Sequence, residues 1–97
     1  MSESTEELTA QAKQLIAERR YDEAVRTCRR ALLGRPDDTE TRLLLGEALL
    51  ADERYDETRV EMLALTKKYP QEAGAHRILG EAYLRGGQSD KAKESLT

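Results

Sequence analysis

Apolar residues recur along the chain every three or four positions, the spacing that places them on one face of an α-helix. Near the N-terminus the series is Leu8, Ala12 and Leu15, which predicts a first helix opening near Thr5. No segment alternates with the two-residue period of a strand, so the pattern predicts an all-α protein. Further helical segments follow from about Tyr21, Thr39 and Tyr55, then around Ile78 to Leu84, and last from Ser89 to Leu96.

Residues with strong positional preferences mark the ends of these helices. Ser4 followed by Glu7 matches a capping box and predicts the first N-terminus. Gly34 lies where a left-handed residue commonly ends a helix. The pair Gly86-Gly87 predicts a turn that ends the fifth helix, and Ser89 is then the N-cap of the last one.

The sequence matches itself at a shift of 34 residues. That one shift aligns two separate blocks and a proline, namely Arg20-Tyr21-Asp22-Glu23 with Arg54-Tyr55-Asp56-Glu57, Leu45-Gly46-Glu47-Ala48 with Leu79-Gly80-Glu81-Ala82, and Pro36 with Pro70. A period of this length indicates stacked helical hairpins. We therefore expect a single domain over residues 1–97, with repeats at about 5–38 and 39–72 and an incomplete one at 73–97.

On these residues the chain resembles the tetratricopeptide repeat (TPR) family. The family's small residues match Ala12, Gly46, Gly80, Ala24 and Ala92, its aromatic residue matches Tyr21 and Tyr55, and its proline matches Pro36 and Pro70. The family's tryptophan is replaced by Leu8, Arg42 and His76, its second small residue by Thr58, and its third aromatic residue by Ser89. The resemblance implies a right-handed solenoid of helical hairpins, with two complete repeats and a truncated third.

In TPR proteins the first helix of each repeat lines the concave side, so the resemblance also implies where a partner binds. Carried over to this chain, the groove residues are Thr9, Lys13, Ile16, Leu43, Glu47, Leu50, Arg77, Glu81, Leu84 and Arg85. The four apolar members would form a track that suits an extended or helical peptide with apolar anchors. The competing interpretation is that these side chains pack against neighbouring helices.

A second TPR binding mode is capture of a C-terminal carboxylate by a polar clamp. Of the five clamp positions only Lys13 suits a carboxylate, because the others hold Thr9, Leu44, Gly74 and Ile78. We therefore expect no clamp of this kind.

Composition and charge narrow the classes of partner. Charged residues make up 36 % of the chain, yet the formal net charge is −3, so there is no bulk attraction for a phosphate backbone. No run approaches the ~20 apolar residues of a membrane span. The single Cys cannot form an internal disulfide. These observations predict a cytoplasmic protein that binds neither nucleic acid nor membrane.

Candidates for chemistry are few. Cys28 and His76 are the one Cys and the one His, and both fall at positions that the family uses for packing. A zinc site needs several such ligands. Arg26, Arg29 and Arg30 share a helix face, for which we expect pairing with nearby acids, with an acidic partner as the alternative. The sequence thus predicts no catalytic, metal-binding or cofactor-binding residue.

The expected function is that of a non-enzymatic adaptor, which binds a peptide or helix of a partner protein in the concave groove. The alternative is a structural oligomerisation element or a packing segment of a larger TPR protein. The incomplete third repeat has no polar-faced cap, which predicts a homodimer through an edge formed by Leu79, Tyr83 and Leu96.

Overall fold

A computed structural model of the protein describes the backbone of residues 4–95 and the side chains of residues 4–88. This part of the chain forms five α-helices and no strand. The helices are α1 (Thr5–Ala17), α2 (Tyr21–Gly34), α3 (Thr39–Ala51), α4 (Tyr55–Lys68) and α5 (Ala73–Ser95). The predicted all-α, helical-hairpin repeat fold is confirmed, and the first four helices begin at the predicted residues.

The N-terminal cap is also confirmed. The Ser4 hydroxyl accepts a hydrogen bond from the backbone N–H of Glu7 at 3.1 Å. This bond satisfies one of the backbone donors that the first turn of a helix leaves unpaired.

The turns inside the two hairpins have a common geometry that the sequence did not predict. Arg19 and Glu53, which are equivalent in the two repeats, have left-handed backbones with φ of 62° and 61°. In the first turn, the N–H of Arg19 donates to Ile16 O and that of Arg20 donates to Leu15 O. This pair of bonds is the Schellman motif, which closes a helix C-terminus tightly enough for the next helix to begin at once.

The predicted left-handed conformation of Gly34 is wrong. Among the described residues no glycine has a positive φ, and Gly34 is the last helical residue of α2. Arg35 follows with a φ of −138° and a ψ of 82°, outside the left-handed region. The connection 35–38 is one residue longer than the one inside the first hairpin, and the chain leaves α2 without a left-handed turn.

Two apolar clusters form the core, one on each side of α3. The first lies between α1, α2 and α3 and contains Ala12, Ala24, Val25, Cys28, Leu45, Ala48 and Leu49. The second lies between α3, α4 and α5 and contains Leu50, Met62, Leu65, Ala75, Ile78 and Ala82. Each cluster therefore packs one hairpin against the first helix of the following repeat, as expected for a repeat array.

The array curves with its first helices on the inner side. α1 packs directly against α3, and α3 against α5, whereas the backbones of α2 and α4 make no comparably close approach. α1, α3 and α5 consequently share a concave face, and α2 and α4 lie on the convex side.

The third repeat differs from the prediction. α5 continues without a break from Ala73 to Ser95, so the predicted turn at Gly86-Gly87 and the separate helix from Ser89 are both wrong. Gly86 is instead a site of close packing, where a Cβ atom would lie 3.3 Å from Tyr55 Cβ and 2.5 Å from Arg59 Nη1. The side chains of Ser89 and Ala92, and all of Leu96, lie outside the described residues.

Candidate functional site

The concave face of α1, α3 and α5 holds the ten predicted groove residues, but it does not present them equally. Lys13, Arg77, Leu84 and Arg85 are exposed, and Ile16, Leu43, Glu47 and Glu81 are half-buried. Thr9 and Leu50 are buried and offer no surface to a partner. For Leu50, the competing interpretation of packing between helices describes the structure better, and Thr9 is buried where an exposed groove residue was expected.

Thr9 is buried because it joins α1 to α3. Its hydroxyl lies 2.9 Å from the hydroxyl of Thr41, which in turn donates to a carboxylate oxygen of Asp38 at 2.7 Å. Buried hydroxyls need such partners, and this chain of bonds satisfies both threonines. The role of Thr41 was missed, because nothing in a single sequence separates a buried Thr from a surface one.

Leu50 is buried because another repeat follows it. It is 3 % exposed and belongs to the cluster that α5 completes. Leu84, the equivalent residue one repeat later, is 64 % exposed. This position therefore packs between neighbouring first helices, and it faces solvent only where no further helix covers it.

Ion pairs cross the concave face from helix to helix. Lys13 of α1 pairs with Glu40 of α3 at 2.5 Å, and Glu47 of α3 pairs with Arg77 of α5. Glu81 then lies between two cations of its own helix, 3.4 Å from Arg77 and 3.2 Å from Arg85. The face is thus a band of alternating charges rather than a patch of one sign.

The hydrogen bond from Arg77 to Glu47 is the main reason why the pKa of Arg77 is raised, and the charge of Glu47 adds to the effect. These side chains remain substantially exposed, and pairs of this kind contribute little to stability, typically about 0–1 kcal/mol. Each charge of the band is therefore paired among the described residues, but only weakly held by its partner.

An apolar margin accompanies the charged band. Leu43 lies between α3 and α5, where a Cβ atom on Gly74 would be 3.3 Å from Leu43 Cδ2. The absence of a side chain at Gly74 is what allows this close approach. Half-buried Leu43 and exposed Leu84 leave apolar surface beside Arg77 and Glu81.

Comparison with known protein families shows to which family this fold belongs. A tetratricopeptide repeat family model matches residues 15–79, about two thirds of the chain. The chain belongs to the tetratricopeptide repeat family. A comparison with curated protein sequences gave no match. TPR arrays are generally protein-interaction modules, and the match covers α2, α3 and α4 completely.

The convex face of this TPR array carries the predicted basic cluster. Arg26 pairs with Asp22 at 3.3 Å, as expected. Arg29 instead reaches across to α4, where it contacts Glu57 at 3.4 Å and Glu61 at 3.3 Å. Arg29 therefore links α2 and α4, the second helices of the two repeats.

The two residues considered for catalysis have different environments. Cys28 is completely buried in the first cluster, and burial raises the pKa of its thiol to about 11. His76 is exposed, and its Nε2 lies 2.6 Å from the carbonyl oxygen of Pro70. A thiol with such a pKa is almost fully protonated at neutral pH and is a poor nucleophile. His76 does not pack in the hairpin, contrary to the prediction for this position.

No helix in the described part of the chain has the length and apolar character needed to cross a membrane. α5 is the longest, with 23 residues, and it carries charged side chains along its length.

Proposed function

We propose that this TPR chain is an adaptor that binds a peptide or helix of a partner protein on the concave face. The observation that supports this most directly is the combination of an exposed charged band with the apolar surface of Leu43 and Leu84. Interfaces commonly pair apolar anchors with a polar surround. We propose no catalytic role and no cofactor, and we place the adaptor in the cytoplasm.

The chemistry of the face defines the partner. Cations and carboxylates alternate along it, so the complementary segment carries charges of both signs and at least one apolar side chain. A strongly basic or strongly acidic segment would meet as much repulsion as attraction. This pattern favours a protein segment over a nucleic acid.

The test uses a displayed library of random peptides selected on the full chain. We expect the enriched peptides to lose at least about tenfold in affinity on Arg77→Glu, because the variant repels Glu47 and Glu81 and reverses one charge contact to the peptide. Arg26→Glu on the convex face is the matched control and should bind the peptides as the parent chain does. Leu50 is unsuitable for this purpose, since a carboxylate there would be buried in the core.

Failure to enrich any peptide would contradict the proposal. Equal loss of affinity in Arg77→Glu and Arg26→Glu would place binding elsewhere or reveal a general effect of charge. Circular dichroism of both variants shows whether each keeps its helices.

A second candidate function is oligomerisation. The observation that favours it is the uncovered face of α5, which includes Gly80 and Tyr83.

A further inference from the structure

α5 has a face that its own repeat leaves uncovered. Gly80 is exposed, and no atom lies within 4 Å of the place where its Cβ would be. The equivalent residues Ala12 and Gly46 are both buried. At Gly46 the second helix of the same hairpin supplies the cover, because Met62 Cε would be 2.7 Å from a Cβ atom there. The partner that α4 provides for α3 is therefore missing on α5.

The uncovered face has the apolar character of an interface. Tyr83 is 53 % exposed, whereas Leu49 at the same position of the preceding repeat is fully buried. The Arg59 guanidinium, 5.6 Å from the centre of the Tyr83 ring, covers only one side of it. Leu49 packs in the first cluster, against the preceding hairpin, so the exposure of Tyr83 identifies apolar surface three residues after Gly80 that is available for a contact.

The missing hairpin turn can be located to one residue. The left-handed residues of the first two repeats are Arg19 and Glu53, and the residue 34 positions after Glu53 is Gly87. Glycine adopts that conformation more easily than any other residue. Nevertheless Gly87 is helical, and its surroundings are open, with no atom within 4 Å of a Cβ there. Gly87 is thus a residue well suited to a turn, although α5 continues through it as a helix.

A straight α5 keeps the segment after Gly87 away from its own Gly80. At 1.5 Å per residue, Gly80 and Ala92 are about 18 Å apart along the helix axis. Yet Ala92 falls at the repeat position of Ala24 and Thr58, and Leu96 at that of Met62, so the segment carries the pattern of a second helix. While α5 remains a continuous helix, this segment cannot reach the face around Gly80 of its own chain.

We propose that two copies exchange this segment. In a two-fold dimer, the helix that follows Gly87 of each copy covers Gly80 and Tyr83 of the other. The exchange restores to the third repeat the packing that α4 gives to α3. Swapping an identical element in this way is a low-cost route to a dimer, because the contacts are those of the closed hairpin. This inference rests on the second candidate function and is independent of peptide binding on the concave face.

Gly87 provides the first test, because substitutions there meet no steric hindrance. Gly87→Ala favours the straight helix, and Gly87→Asn, with a residue that tolerates the left-handed conformation, favours the turn. Light scattering and sedimentation of the full chain over a concentration series measure the dimer dissociation constant. We expect a dimer in which Gly87→Ala tightens association about fivefold or more, since each dimer contains two such residues. Gly87→Asn should weaken association and favour a monomer with a closed hairpin.

Gly80 provides the second test, with a matched control. Gly80→Leu should abolish the dimer by blocking the contact, whereas Gly80→Ala should keep it, because alanine is the natural residue at the equivalent position 12. Circular dichroism confirms the helices of both variants. A parent chain that is monomeric at all concentrations would overturn the proposal. A dimer that is indifferent to Gly80→Leu, or equal in Gly87→Ala and Gly87→Asn, would overturn it as well.

Discussion

Gly46 lies directly against the thioether of Met62, so that a Cβ atom on Gly46 would be 2.7 Å from Met62 Cε and 2.8 Å from Sδ. The two residues belong to α3 and α4, the two helices of one hairpin. Met62 is fully buried, so its flexible thioether end can yield only by displacing its neighbours in the core. The absence of a side chain at Gly46 makes room for Met62 between the two helices.

Gly46→Leu should therefore destabilise the fold. Overpacking at this point forces Met62 or the helix backbone to move, and we expect a loss of about 1–3 kcal/mol in the free energy of unfolding. Gly80→Leu is the control, because position 80 is open. Urea melts at a concentration low enough for monomers measure both, and equal losses at the two positions would contradict the packing argument.

Truncation of core leucines should have unequal effects. Leu45 is fully buried in the first cluster, and Leu45→Ala should cost about 2–5 kcal/mol. Leu79, the equivalent residue one repeat later, is only half-buried at the edge of the second cluster, so Leu79→Ala should cost clearly less. Leu33, at 83 % exposed, is the control, and its change to Ala should stay within about 0.5 kcal/mol. A loss for Leu79→Ala as large as for Leu45→Ala would show that the edge of the array is covered in solution.

Glu53→Gly should stabilise the protein. A non-glycine residue at a φ of 61° pays a steric cost that glycine avoids, so the gain should be about 0.5–1 kcal/mol after the extra chain entropy of glycine is subtracted. Glu53→Ala separates loss of the carboxylate from relief of strain and should give no such gain. Thermal melts decide the result, and a destabilised Glu53→Gly variant would argue against the left-handed turn.

The stability of the native protein should fall as the solution becomes alkaline. Burial raises the pKa of the Cys28 thiol from 9.0 to about 11. Above pH 9 the unfolded chain therefore loses a thiol proton that the folded chain keeps. The free energy of unfolding then falls as the pH rises, until the pH passes the pKa of the folded state. The contribution should reach about 1 kcal/mol near pH 10.

Cys28→Ala isolates this effect, because all other groups titrate in both proteins. The difference in unfolding free energy between the parent chain and the variant should shrink as the pH rises from about 8 to about 10. A constant difference over that interval would show that the thiol ionises equally in the folded and unfolded states.

The amino-acid sequence alone was enough to predict the all-α class, the 34-residue repeat, the starts of the first four helices and the family. These features depend on apolar spacing, on Ser4 as a cap and on small residues such as Gly46, all of which act through local geometry or through contacts that recur in every repeat. A residue preference that recurs in every repeat can be recognised in a single sequence.

The differences between equivalent positions depend on how the helices pack, which one sequence does not show. Leu50 and Leu84 occupy the same place in the repeat, and their burial differs because a helix packs over one and not over the other among the described residues. The local preference of Gly86-Gly87 favours a turn. However, the absence of a side chain at Gly86 lets Tyr55 and Arg59 of α4 pack closely on a continuous α5. Burial and helix continuity depend on neighbours distant in sequence, and a local preference of about 1 kcal/mol per glycine is too small to override them.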